Sequence, residues 1–258
     1  MSIYKKFAVN IAKKAGKIIR SNFALGMTRI IKKDGSPVTK TDLAINSMVI
    51  KEVKKNFPTH AVIGEEENHA IENAEYSWLC DPVDGTIPFS HGTPTCAFSL
   101  ALVHNGSPVL GVAYDPFMER MVVAEKGKGA FLNGKKLRVS KYKKMQGAYI
   151  SHCVWSRMQY PLKGFIEDLI FKNKAQCFPM GSIVYNAMLL AAGEIDGITF
   201  PHYTAHDVAA IKIIVEEAGG RVTDFWGREQ RYDRPVKGAI ISNGYLHSQL
   251  LKLVQKYL

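Results

Sequence analysis

A layered α/β fold, in which a larger mixed sheet and a smaller sheet are separated by helices, is what this chain predicts. Three observations carry it. Apolar runs of strand length crowd the first half of the sequence, helical and strand-like runs alternate in the second, and one apolar run ends abruptly in paired carboxylates. That run is Trp78-Leu79-Cys80, followed by Asp81-Pro82-Val83-Asp84-Gly85-Thr86. A buried strand delivers side chains rigidly to its C-terminal edge, where ligands of open α/β sheets bind, and Pro82 and Gly85 force a turn there.

The elements follow in order. Ile3, Phe7, Ile11, Ala15, Ile18 and Phe23 recur at helical spacing, predicting an amphipathic helix over residues 2–24. A second helix runs from about Lys40 to Asn56 and stops before Pro58. Strand-like runs then occupy 61–63, 77–81, 95–103, 108–114, 120–125 and 147–152, several of them separated by Gly and Pro turns. Helices are expected at about 157–171, 182–193, 206–218 and 245–257, with strands near 175–178, 195–199 and 239–242. In the third of these helices, His206-Asp207 opens an apolar stretch that stops at Gly219-Gly220, so Asp207 is expected as its N-cap.

Carboxylates gather at the ends of these elements. Ala61-Val62-Ile63-Gly64 ends in Glu65-Glu66-Glu67, three adjacent acids that repel one another without a cation. Asp81 and Asp84 alone read equally as turn and cap residues. Taken with Glu65 and Asp207, they form an all-oxygen donor set that suits Mg²⁺ or Mn²⁺ better than Zn²⁺, and phosphoryl-transfer sites with several metals need such a set.

The Gly64-Glu65-Glu66 and Asp81-to-Thr86 runs, then His206-Asp207-Val208-Ala209-Ala210 and Glu217-Ala218-Gly219-Gly220, resemble the inositol monophosphatase family. These are lithium-sensitive, Mg²⁺-dependent phosphatases. Supporting runs are Gly35 to Asp42, Gly127 to Gly134, and Gly181-Ser182 at the head of a helix ending near Gly193. Several ordered motifs over nearly the whole chain make the resemblance specific, where each alone is weak.

The resemblance implies the five-layer αβαβα sugar-phosphatase fold in one catalytic domain over 1–258, with an N-terminal half to about 145 and a C-terminal half from about 146. It implies two or three Mg²⁺ ions, with Mn²⁺ as a substitute. Glu65, Asp81 and the Val83 carbonyl would hold the first, and Asp81, Asp84 and Asp207 the second, while a third would share Glu65. Water activated by the first metal would be the nucleophile, oriented by Thr86 and its partner Asp42, so Thr86, Asp42 and Glu65 are the expected catalytic residues. Asp84, Gly85, Thr86, Ser182 and Ile183 would contact the phosphorylated substrate, and Glu66 would support Glu65. Homodimers are common in the family.

The substrate implied is a small phosphorylated polyol or sugar such as inositol 1-phosphate. The chain departs from the inositol-specific pattern, because the approach Thr199 to His206 carries no acid, His206 stands where tryptophan is usual, and Ile87-Pro88 replace Thr-Asn. Lys33 to Thr39 and Gly92-Thr93-Pro94 also occur in similar form among nucleotidase and histidinol-phosphatase branches. Bisphosphate nucleotidase, histidinol-phosphatase and fructose-1,6-bisphosphatase therefore stand as alternatives.

At 258 residues and 47% hydrophobic, the chain can bury a large core, and no apolar run approaches the ~20 residues that span a bilayer. Cys80, Cys96, Cys153 and Cys177 lack metal-binding spacing and read as free thiols of a reducing cytoplasm. The net charge of +11 raises a second class of function, a non-catalytic binder of anionic polymers. No basic motif interleaved with aromatics supports nucleic-acid binding. Lys32-Lys33 is expected as a solvated face, the runs at 51–55 and 135–144 are also basic and add to a net charge that anionic substrates account for at least as well, and His91, His202 and His206 are expected as packing or surface residues.

Overall fold

The computed structural model describes residues 2–33, 35–154 and 158–258. Asp34, within the Lys33-to-Thr39 segment, and the first residue of the helix expected at 157–171 lie outside that range. Helix α1 (Ile3–Asn22) is capped by Ser2, whose hydroxyl accepts from the Lys5 N–H, and α2 (Lys40–Asn56) begins in a capping box. Between them lies a two-stranded hairpin, β1 (Ile30–Ile31) and β2 (Pro37–Val38).

Eight strands make the large sheet. They are β3 (Ala61–Gly64), β4 (Asn68–His69), β5 (Tyr76–Asp84), β6 (Ala97–His104), β7 (Ser107–Asp115), β8 (Arg120–Glu125), β9 (Gly129–Leu132) and β10 (Lys135–Lys136). Their order is β10-β9-β8-β7-β6-β5-β3-β4, with only β3 and β5 parallel. The small sheet has the order β12-β11-β13-β15-β14. Its strands are β11 (Tyr149–His152), β12 (Gln176–Cys177), β13 (Gly197–Phe200), β14 (Arg221–Thr223) and β15 (Ala239–Ser242). The short helix α3 (Thr86–Ser90) follows β5, and α4 (Phe165–Glu167) runs into a π-helical turn at Asp168–Lys172. The remaining helices are α5 (Ile183–Ala191), α6 (Ala205–Glu217) and α7 (His247–Gln255).

Three apolar clusters show how these elements stack. One joins α1 and α2 to the large sheet through Ile11, Ile45, Trp78 and Phe98. A second lies between the sheets, where α5 and α6 supply Val184, Leu190, Val208 and Ile214 against Ala101 and Ala113 on one side and Ile198 and Ile241 on the other. The third covers the outside of the small sheet with Phe165, Leu250 and Val254. The layers are therefore αβαβα, as expected. Gly111 lets α6 lie close against the large sheet, since a Cβ there would come within 2.8 Å of the Ala210 carbonyl oxygen and 2.5 Å of Ile213 Cγ2.

Candidate metal centre

The carboxylate pair owes its geometry to a break in the sheet. Strand residues three apart face opposite sides, which would separate Asp81 from Asp84. The pairing of β5 with β6 shifts register between these two residues, where Pro82 has no N–H to give to a ladder. The inserted step turns both acids the same way, and the Val83 N–H donates back to Asp81 Oδ1 at 3.1 Å. Gly85 then takes φ 90°, and a side chain there would meet Ser182 Cβ and the Thr95 carbonyl oxygen at 2.9 Å, so only glycine fits the turn into α3.

Glu65 arrives by a different route. Because β3 and β5 are parallel, the residue after β3 stands beside the end of β5, and its N–H donates to the Cys80 carbonyl at 3.1 Å. Asp207 comes from the first turn of α6. It is not the N-cap expected from the sequence: Thr204 holds that position, and the Thr204 hydroxyl donates to the Asp207 carboxylate three residues further in. An acid in the first turn still gains from the helix dipole.

The two sets of acids form adjoining clusters. Oxygens of Asp81, Asp84 and Asp207 lie within 4.8 Å of one another, and so do those of Asp42, Glu65 and Glu66. Asp81, Asp84 and Asp207 are all buried. Burial, followed by the charges of Glu65, Asp84 and Asp207, pushes the Asp81 carboxyl far up. Asp84 rises to about 7 through burial and the Asp207 charge, against the bonds it accepts from Ser182 and the Val184 N–H. Glu65 rises to about 8, since burial with Asp207 and Glu66 outweighs the pull of Lys32. Carboxylates this crowded are acceptor-rich and short of positive charge, which fits hard divalent cations held by oxygen.

Thr86 and Asp42 meet as expected. Thr86 Oγ1 stands 3.1 Å from Asp42 Oδ1 and 2.9 Å from the Val83 carbonyl oxygen, so its single proton serves one of two acceptors. Asp42 Oδ2 accepts from the Thr39 N–H at 2.8 Å and the Thr39 hydroxyl at 2.5 Å. Burial still raises its pKa against those bonds.

Other residues differ from expectation. Ser182 and Ile183 direct their donors at Asp84: the Ser182 hydroxyl and the Val184 N–H (2.7 Å) bond Oδ2, and the Ile183 N–H reaches Oδ1 at 3.3 Å. They hold a carboxylate of the centre, so substrate would have to share these donors. Lys32 is not a solvated face. Its ammonium lies 2.9 Å from Glu65 Oε1 and 2.7 Å from Glu66 Oε1. Burial lowers its pKa, and the two glutamates more than reverse that. The hairpin β1–β2 folds this lysine back onto the acids, and the Gly35-Ser36-Pro37 turn was the sequence signal for it. His206, expected as a packing or surface residue, lies with Nε2 3.6 Å from Asp207 Oδ1, whereas His91 is exposed.

Residues 2–258 match the family model described as the inositol monophosphatase family. The chain belongs to the inositol monophosphatase family. A fructose-1,6-bisphosphatase/inositol-1-monophosphatase of Thermotoga maritima is 34% identical over 253 residues, 97% of this chain and 95% of that protein. Inositol monophosphatase 1 of Bos taurus is 32% identical over 233 residues, covering 86% and 83%. The solved structure of a Thermotoga maritima IMPase superposes with a TM-score of 0.87 at 33% identity, covering 98% of this chain and 96% of that one. Family membership makes the chain a metal-dependent phosphatase that hydrolyses phosphomonoesters, and the acidic clusters can hold its metals. No helix among the described residues is long and apolar enough to cross a membrane.

Proposed function

We propose that this member of the family hydrolyses a small phosphorylated polyol or sugar with two or three Mg²⁺ ions, replaceable by Mn²⁺. The observation that supports this most is the all-oxygen double cluster of Asp42, Glu65, Glu66, Asp81, Asp84 and Asp207. Glu65, Asp81 and the Val83 carbonyl would hold one ion, and Asp81, Asp84 and Asp207 another. Bound metal supplies Lewis acidity, making water nucleophilic near neutral pH and offsetting charge on the phosphoryl and leaving oxygens. The rest falls to the chain. When the Val83 carbonyl is engaged as a ligand, the Thr86 proton goes to Asp42, which leaves a Thr86 lone pair to accept from the attacking water and aim it. The Gly85 and Thr86 N–H groups, at the start of α3, would donate to phosphate oxygens. Glu66 is bonded through Lys32 to Glu65 and steadies it. Ser182 and Ile183 fix Asp84 and border the substrate.

Lithium sensitivity at the Asp207 metal, a homodimer, a single catalytic domain and a reducing cytoplasm complete the reading. The between-sheet core drawn from both halves, and four cysteines that are all free, are in keeping with the last two. Bisphosphate nucleotidase, histidinol-phosphatase and fructose-1,6-bisphosphatase activities remain the alternatives because no acid lies between Thr199 and His206. Phosphate release is to be measured from inositol 1-phosphate, fructose 1,6-bisphosphate, adenosine 3′,5′-bisphosphate and histidinol phosphate, with and without Mg²⁺. Inositol 1-phosphate or the sugar phosphate should be turned over fastest, and chelation should remove the activity until Mg²⁺ is returned. Full activity after exhaustive chelation would refute the metal reading, and preference for the nucleotide or histidinol ester would replace the substrate.

A further inference from the structure

Away from the metal centre, the outer face of α2 opens onto a cleft of about 500 Å³ lined by Ser47, Ile50, Lys51, Lys54, Lys55 and Glu67. Positions 47, 50, 51, 54 and 55 share one helix face because they are three and four apart. The three lysines are exposed, and no carboxylate among the described residues lies within 4 Å of their ammonium groups. Glu52, the acid within the same run, turns away to bond Lys14 at 2.7 Å, although it still feels the charges of Lys55 and Lys51. Helix-end lysines commonly gain only from the dipole. These three differ because they line an open depression together with a hydroxyl, Ser47, and an apolar side chain, Ile50.

We propose that this cleft is a second anion site, separate from the phosphatase centre, that takes a small polyphosphate chain. Three ammonium groups spread over about 6 Å of helix axis offer several charges in a row, which suits a chain of phosphates better than a single monoanion. Glu67 is the one acid among the lining residues and comes from the segment after β3, not from the helix. Of the three acids at 65–67 only the exposed Glu67 lines the cleft, and its charge would repel a polyanion that ran on past the lysines, so a short ligand is favoured over a polymer. Asn46, one turn before Ile50, donates to the Glu67 carbonyl at 3.0 Å and accepts from the Glu66 N–H at 3.3 Å. The cleft therefore backs onto the segment that carries Glu65, while its own lysines take no part in the metal centre.

Calorimetric titration of the full chain in EDTA keeps the metal centre from recruiting anions through bound cations. Tripolyphosphate should bind with one-to-one stoichiometry and weaken as salt is raised. The triple variant Lys51→Gln, Lys54→Gln, Lys55→Gln should weaken it by at least about tenfold, while its Mg²⁺-dependent phosphatase rate stays at the wild-type value and reports an intact fold. Asp84→Asn should bind tripolyphosphate as the wild type does. Equal affinity for a nucleoside triphosphate identifies the inorganic chain as sufficient, and tighter nucleotide binding identifies a nucleotide as the source; both outcomes support the site. Unchanged binding in the triple variant, loss of binding in Asp84→Asn, or affinity that appears only with single-stranded oligonucleotides and grows with their length would overturn the proposal.

Discussion

At the scale of single residues, two groups can be separated by what they touch. Thr86→Ala removes a hydroxyl but leaves every carboxylate of the centre in place. It should lower kcat by roughly 10²–10⁴-fold, the range of a proton-handling group, with little change in the Mg²⁺ concentration needed for half-maximal rate. Asp42→Asn should match it, and the double variant should cost little more than either alone. Steady-state kinetics over a Mg²⁺ series checks this, and multiplied losses would mean that Asp42 only starts α2. His247 tests a different balance. Thr223 Oγ1 gives its proton to the Asp224 carbonyl and so accepts from His247 Nε2 at 2.9 Å, leaving Nδ1 to accept from Ser242 Oγ at 2.9 Å. The ring is buried, and burial with Arg221 and Lys212 pushes its pKa down to about 4. The unfolded chain, titrating near 6.5, takes the proton first, so this contribution to stability is whole above pH 6.5 and is lost as pH falls towards 4. His247→Gln should therefore destabilise the protein at pH 7.5 by more than at pH 5, as read by denaturant unfolding at both values.

At the scale of elements, α5 shows how a helix start doubles as a clamp. Ser182 caps it by accepting from the Tyr185 N–H at 3.0 Å, and the same hydroxyl donates to Asp84. Ser182→Ala should cost about 1 kcal/mol for the cap alone. It should also raise the Mg²⁺ requirement several-fold as Asp84 loses a fixed partner, and a shift in thermal midpoint without a shift in Mg²⁺ dependence would reduce Ser182 to a cap. Much of this level was legible in the sequence: α1, α2 and β5 to β8 follow long periodic runs, and their ends fall within a few residues of those expected. The stretch 157–171 was not, because Pro161 precedes and Gly164 takes φ 82° just before Phe165, so among its described residues helix begins only there and continues as a π turn. The strands β1, β2, β4, β9, β10 and β14 span two to four residues, too few for periodicity to register. Within the centre, the acids were legible from residue type and position. The Lys32 contact was not, since it depends on a hairpin closing over a distance of 33 residues.

At the scale of the whole molecule, stability rests on the fit of α6 between two sheets. Gly111→Ala would drive a methyl into the Ala210 carbonyl and Ile213, which helix packing cannot accommodate without moving α6. The expected cost is about 1–3 kcal/mol, and displacement of Asp207 should bring a weaker response to Mg²⁺. Comparison of chemical unfolding with activity checks both, and wild-type values for each would show that the layers slide freely there.

The placement of α6 also constrains how the chain is made. Strands β6 to β8 are complete by Glu125, but the helix that covers their inner face begins at Ala205 and ends at Glu217. At about 5–20 residues per second, a ribosome leaves that face bare for roughly 5–20 s. Ala101, Val103, Ala113 and Val122, which end up against α6, spend that time without their partner. The nascent protein is thus most prone to self-association midway through synthesis, and a pause before residue 205 would lengthen that interval while a faster passage would shorten it.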